Sequence, residues 1–123
     1  MLFRSTEILL RVFEKRLLQD LGYGLVLDHD AETGMKIDPL MSYCYLLERG
    51  PVRAVPAHGD YVQISGAALL ALYREQLEEQ GVLQECKSLM RHVLHRYLGH
   101  KPLASRNLYA SYRNLHAKPA PIG

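Results

Sequence analysis

The sequence predicts a mainly α fold: a compact helical domain of about four helices, with a small β-hairpin excursion between helices 1 and 2. Apolar residues recur at three- and four-residue spacing over four separate stretches. Glycine or proline punctuates the ends of the first three. Residues 25–64 lack that period and instead hold two short apolar runs on either side of Glu48-Arg49-Gly50-Pro51. The 123 residues are 48% hydrophobic and 23% charged, enough apolar surface for one core and too little charge for disorder. A core of this size needs no metal or disulfide staple.

The first helix runs from Thr6 to Leu21, with Ile8, Leu9, Val12, Phe13, Leu17 and Leu21 on its apolar stripe. Ser5 or Thr6 is its expected N-cap and Gly22-Tyr23-Gly24 its stop. Arg4, Arg11 and Lys15 fall on one narrow strip of the wheel and make a basic ridge beside that stripe. Leu25-Val26-Leu27 is a short apolar run, and 28–39 reads as loop. Tyr43–Leu47 and Val52–Val55 form the hairpin, which as two strands alone is marginal in water and must lean on the helices.

Ser65 caps a second helix from Gly66 to about Gln80, with Leu69, Leu72, Tyr73 and Leu77 inward, Arg74, Glu75, Glu78 and Glu79 outward, and Gly81 as its stop. The third helix, Val82–Leu98, places Cys86, Leu89, Met90, Val93, Leu94, Tyr97 and Leu98 on one half of its wheel. Ser88, Arg91, His92 and His95 take the other half, flanked by Lys87 and Arg96, and Gly99 and Pro102 close the helix. A fourth helix starts near Ser105 and uses Leu108, Tyr109, Tyr112 and Leu115. The expected organisation is one helical domain over residues 1–116 and a flexible tail over 117–123.

No apolar run approaches a membrane span, and the first residues lack the layout of a signal peptide. Cys44 and Cys86 form no CxxC pair, as expected of buried thiols in a reducing compartment. A soluble cytoplasmic protein is the expectation. Charge is unevenly spread: residues 1–86 hold 8 Lys/Arg and 13 Asp/Glu, whereas 87–123 hold 7 Lys/Arg and no acid. An acid-free stretch of that length favours anionic partners.

The signatures of common enzymes are missing: no GxSxG, P-loop, HExxH or GxGxxG. Asp28, His29, Asp30 and Glu32 are the densest titratable cluster, better explained by an Asp-built turn than by catalysis or a metal. His92 and His95 lie one helical turn apart without a third ligand nearby, so they read as solvated or phosphate-facing. No enzyme activity, catalytic residue, metal or cofactor is predicted.

Lys87, Arg91, Arg96, Lys101, Arg106 and Arg113 are the candidate DNA- or partner-binding residues, since such a surface neutralises phosphates. Tyr97, Tyr109 and Tyr112 interleave with them and suit either stacking on bases or core packing. Arg11 and Lys15 on the first helix are the candidates for binding an acidic, partly hydrophobic peptide. The alternative for Arg11 is pairing with Glu7 or Glu14 on a solvated face.

Arg11-Val12-Phe13-Glu14, Leu17-Leu18 and Leu21-Gly22-Tyr23-Gly24 resemble the motif that opens the C-terminal domain of RecO, the bacterial recombination mediator. Tyr97-Leu98-Gly99, Lys101-Pro102-Leu103, Ser105-Arg106 and Leu108-Tyr109 resemble its closing signature. The resemblance implies a DNA repair and recombination accessory factor in the bacterial cytoplasm, associated with the nucleoid. Such a factor binds single-stranded DNA, anneals strands, and works with RecR to load RecA onto strands coated by single-stranded-DNA-binding protein (SSB). It also implies that the first helix lines a pocket for the acidic tail of SSB, with Arg11 matching the arginine of the family's Leu-Arg-x-Phe segment. The family's preceding OB-fold is absent from this sequence, which therefore looks like the C-terminal part only. Many members carry a four-cysteine zinc module after the glycines; here Asp30 stands at the first position and Cys44 alone falls in that stretch, so zinc is not predicted. A stand-alone helical interaction or regulatory module without nucleic-acid binding is the alternative.

Overall fold

A computed structural model describes residues 2–99. The first helix, α1, spans Leu2–Asp20 and starts earlier than its sequence suggests. Leu2-Phe3-Arg4 holds no Gly or Pro to stop it, so Ser5 and Thr6 sit inside the helix instead of capping it. Its end is as expected. Gly22, at φ +90°, lets Tyr23 N donate to Leu18 O (2.8 Å) and Gly22 N to Gln19 O (3.1 Å), the paired bonds of a Schellman cap. Leu25-Val26-Leu27 then crosses as irregular chain, burying Leu27 and donating Val26 N to the Tyr45 hydroxyl at 3.1 Å.

Strands β1 (Ser42–Leu46) and β2 (Gly50–Val52) form a hairpin, with Cys44 opposite Val52, but the returning strand comes earlier than expected: Gly50 and Pro51, read as turn, pair with Leu46 and Tyr45, and 53–55 lie beyond it. A third strand, β3 (Tyr61–Ser65), adds antiparallel to the other side of β1, giving the order β2-β1-β3. This strand is not among the expected ones, although Val62 and Ile64 are buried while Tyr61 and Gln63 are exposed, the alternation of a half-buried strand. It runs straight into a helix, and its two apolar residues merge with the helical pattern behind them. The third strand and the helices beneath supply the support that two strands alone lack.

Helix α2 spans Gly66–Arg74 and α3 Gln80–Leu98. Ser65 caps α2 as predicted, its Oγ accepting from Ala68 N at 3.1 Å. The helix stops well before Gln80, because Glu75 adopts the left-handed conformation (φ 60°, ψ 39°) and donates its N–H back to Ala71 and Leu72. That conformation costs a non-glycine residue about 1 kcal/mol or more, and here the Glu75 carboxylate is anchored from outside the helix. Gly81, expected as a stop, is instead the second residue of α3.

The fold-class expectation is therefore corrected: the described residues form a mixed α/β domain of three helices and a three-stranded antiparallel sheet, not a mainly α bundle of about four helices. The fourth helix expected from Ser105 and the tail over 117–123 lie outside the described residues. The core joins Leu18 of α1, Tyr45 and Ile64 of the sheet, Leu69 and Leu72 of α2, and Leu89 of α3. Each fully buried leucine contributes about 2 kcal/mol by leaving water. Gly66 shows how closely the parts approach. Its N–H donates to Met41 O at 2.8 Å, and a Cβ there would overlap the Asp38 carbonyl.

Candidate functional site

The cations chosen on α1 lie where the apolar stripe meets the rest of the fold. Arg11 is not on a solvated face: its side chain is 7% exposed and that of Glu14 8%. Arg11 Nη2 donates to Glu14 Oε2 at 3.2 Å, and Nε lies 2.9 Å from Glu14 Oε1. Glu7 is further off, 3.6 Å from Nη1. The approach at Nε is poorly aligned, so Nε, Nη1 and Glu14 Oε1 have no aligned hydrogen bond among the described residues. Burial pushes the Glu14 carboxyl above the usual carboxylate range, with the Arg11 charge opposing it.

Lys15 Nζ donates to Tyr73 O at 3.0 Å and to Glu75 Oε2 at 3.1 Å, and lies 5.9 Å from the centre of the Tyr73 ring. Tyr73, expected inward, is half exposed and covers this lysine. Arg16 Nη2 donates to Glu75 Oε1 at 2.6 Å. Hydrogen bonding from Arg16, then from Lys15, holds the Glu75 carboxyl below its ordinary value. Both candidates of the first helix thus already face carboxylates of their own chain. The Arg11–Glu14 pairing follows from i,i+3 spacing and was legible; Glu75, sixty residues from Lys15 in sequence, was not.

On α3, Lys87 is half-buried near Glu14, while Arg91, His92 and His95 are exposed. His92 Nδ1 donates to Ser88 O at 2.8 Å, which assigns the proton to Nδ1 because a carbonyl only accepts. Arg96 reaches Asp60 (2.9 Å) and Glu48 (3.4 Å). Beside these residues opens a cleft of about 990 Å³, with Leu47 and Tyr61 in its wall and Arg91, His92, His95 and Arg96 along its rim. Sequence reading missed Leu47, Tyr61 and Asp60 here, because only the antiparallel pairing of β3 on β1 brings them to the end of α3. Lys101, Arg106 and Arg113 lie outside the described residues.

The other singled-out groups have structural places. Asp30 Oδ1 accepts from Glu32 N (2.7 Å) and Thr33 N (3.0 Å), making the Asp-built turn, and His29 pairs with Asp28 at 2.8 Å. Cys86 is buried, its thiol pushed up to about 12 by desolvation and bonded to Ala68 O at 3.5 Å. Tyr97 stacks on Tyr23 with centroids 4.3 Å apart and donates to Leu47 O at 3.0 Å, so it packs instead of standing free. Among the described residues no helix is long and apolar enough to cross a membrane.

These features define a class: a small α/β domain with Arg91 and Arg96 beside an open, partly apolar cleft at the end of its third helix. The chain belongs to the Recombination protein O C-terminal family, matching it over residues 3–107. It is 41% identical over 108 residues to the DNA repair protein RecO of Nitrosospira multiformis, covering 87% of this chain and 45% of that one. The DNA repair protein RecO of Nitrosococcus oceani is 42% identical over 112 residues, covering 91% and 46%. That of Coxiella burnetii, strain RSA 493, is 44% identical over 102 residues, covering 83% and 44%. The chain thus spans less than half the length of these relatives.

Proposed function

We propose that the chain is the C-terminal part of a DNA repair and recombination accessory protein of the bacterial cytoplasm and nucleoid, acting by binding and not by catalysis. In this reading it receives the acidic tail of SSB on α1 and contributes to single-stranded DNA and RecR binding in RecA loading and strand annealing. The observation that carries it is membership of the recombination protein O family, whose matched relatives are named DNA repair proteins. Arg11 and Lys15 are the proposed receivers of the tail. Because Glu14 and Glu75 already hold them, tail carboxylates must exchange with these internal partners. Lys87, Arg91 and Arg96, with Lys101, Arg106 and Arg113 further along the sequence, supply charge toward phosphate or a partner protein.

The test is a fluorescence anisotropy titration with an SSB-tail peptide beside a scrambled control. The tail is expected to bind in preference to the scramble, and Arg11→Ala to weaken it about tenfold or more, the effect of a lost charged hydrogen bond. Unchanged affinity in the folded variant removes Arg11 from the site. The second reading, a helical interaction module without nucleic-acid binding, is favoured by the internal pairing of Arg11, Lys15, Arg16 and Arg96. It predicts no salt-dependent affinity for single-stranded DNA, whereas the first predicts a log–log slope of about −0.7 per neutralised phosphate.

A further inference from the structure

We propose that the cleft at the end of α3 and its neighbouring depression form one docking track for an extended partner segment, acidic at one end and apolar at the other. The inference deepens the reading of the α3 cations as a partner surface, and rests on it. It concerns a different face from Arg11 and Lys15.

A second depression of about 620 Å³ shares Leu47, Gly59, Asp60 and Arg96 with the first, so the two adjoin. Arg96 is the divide between them. Its charge is answered by Asp60 and Glu48, and these pairs tie the β1–β2 turn and the loop before β3 to α3. On one side of this bridge the charge is unanswered. Arg91 makes no ion pair with another described residue, and His95 follows it by four residues, so the two side chains neighbour each other on α3. With its proton donated from Nδ1 to Ser88 O, His92 presents Nε2 as an acceptor and offers nothing to a carboxylate. On the other side the lining turns apolar, with Val52, Val55, Pro56 and Ala57, and Val55 is 70% exposed. A wall of that kind draws apolar side chains out of water.

Charge decides the occupant. A nucleic-acid strand carries a phosphate at every unit, and along the whole track it would lay some of them beside Glu32, Glu48 and Asp60. A peptide with carboxylates at one end alone meets Arg91 and His95 with its acids and the Val55 side with its apolar residues. The chain's own residues after Gly99 contain no Asp or Glu, so they cannot supply the acidic end.

The experiment maps amide shifts of the ¹⁵N-labelled full chain while three probes are added. These are a peptide of consecutive Asp residues followed by Leu and Phe, the same composition scrambled, and an oligothymidylate. The ordered peptide is expected to shift the amides of residues 55, 57–59 and 91–96. Arg91→Glu should weaken this about tenfold or more, and Val55→Asp about fivefold, through loss of apolar contact. Both positions are exposed, so the variants keep the fold. Arg11→Ala should leave these shifts in place. Peptide shifts confined to α1 and abolished by Arg11→Ala would overturn the track while upholding the tail site. Oligothymidylate shifting these residues where the ordered peptide does not would overturn the peptide assignment and leave the nucleic-acid reading standing. Equal shifts from ordered and scrambled peptides would overturn the two-ended match.

Discussion

Replacing Arg11 with methionine removes a guanidinium while keeping much of its apolar stem, and leaves Glu14 buried without its partner. The two side chains are 7% and 8% exposed, and Nη2–Oε2 at 3.2 Å is their aligned hydrogen bond. Removing one member of a buried pair costs about 3–5 kcal/mol. Because three of the pair's polar atoms already lack aligned bonds, the low end applies, about 3 kcal/mol, or a fall in Tm of about 10 °C. Equilibrium urea unfolding at neutral pH measures it, as a lower midpoint with unchanged slope. The double variant Arg11→Met with Glu14→Leu removes both charges and should recover most of that loss, since an apolar pair of similar volume replaces a poorly bonded ionic one. A loss under about 0.5 kcal/mol for Arg11→Met would place Arg11 in solvent and refute the buried-pair reasoning.

Ser65→Ala removes the cap of α2 and the hydroxyl donated to Glu85 Oε2 at 3.0 Å; about 2 kcal/mol of destabilisation is expected by urea unfolding, and a neutral effect would deny the cap its role. Gly66→Ala forces a methyl onto the Asp38 carbonyl and should lower Tm more than Ser65→Ala does in the same thermal scan. The pH dependences of Glu14 and Glu75 have opposite signs. Glu75 is depressed by Arg16, so its contribution is complete above the ordinary carboxylate range and is lost as pH falls through that range toward the depressed value. Glu14 is raised by burial, so the folded state holds its proton longer, and stability from this group falls as pH rises from the ordinary value through the raised one. Urea midpoints of Glu14→Gln and Glu75→Gln, compared with the parent between about pH 3 and 7, should differ in opposite directions with pH.

Much of the scaffold was legible because its signals are local. Gly22, Ser65 and the periodic faces of α1 and α3 each act within a few residues. What was not legible depends on distant chain. The stop of α2 at Arg74 has no glycine to announce it; Glu75 takes the left-handed turn while Arg16 and Lys15, almost sixty residues earlier, hold its carboxylate. Strand β3 needed β1 beside it to count as a strand. The candidate site divided the same way. Arg11, Lys15 and Arg91 were found from spacing and charge, whereas the walls of the cleft, Leu47 and Tyr61, meet through the sheet register.

Tail binding at α1 requires the buried guanidinium of Arg11 to give up its internal carboxylate to an incoming one. Selectively ¹⁵N-labelled arginine allows the Arg11 Nε–H signal to be followed directly while the SSB-tail peptide is added. A large displacement of that signal is expected, saturating at the peptide concentrations that saturate the anisotropy. Peptide that binds tightly while the Arg11 signal stays where it was would contradict it.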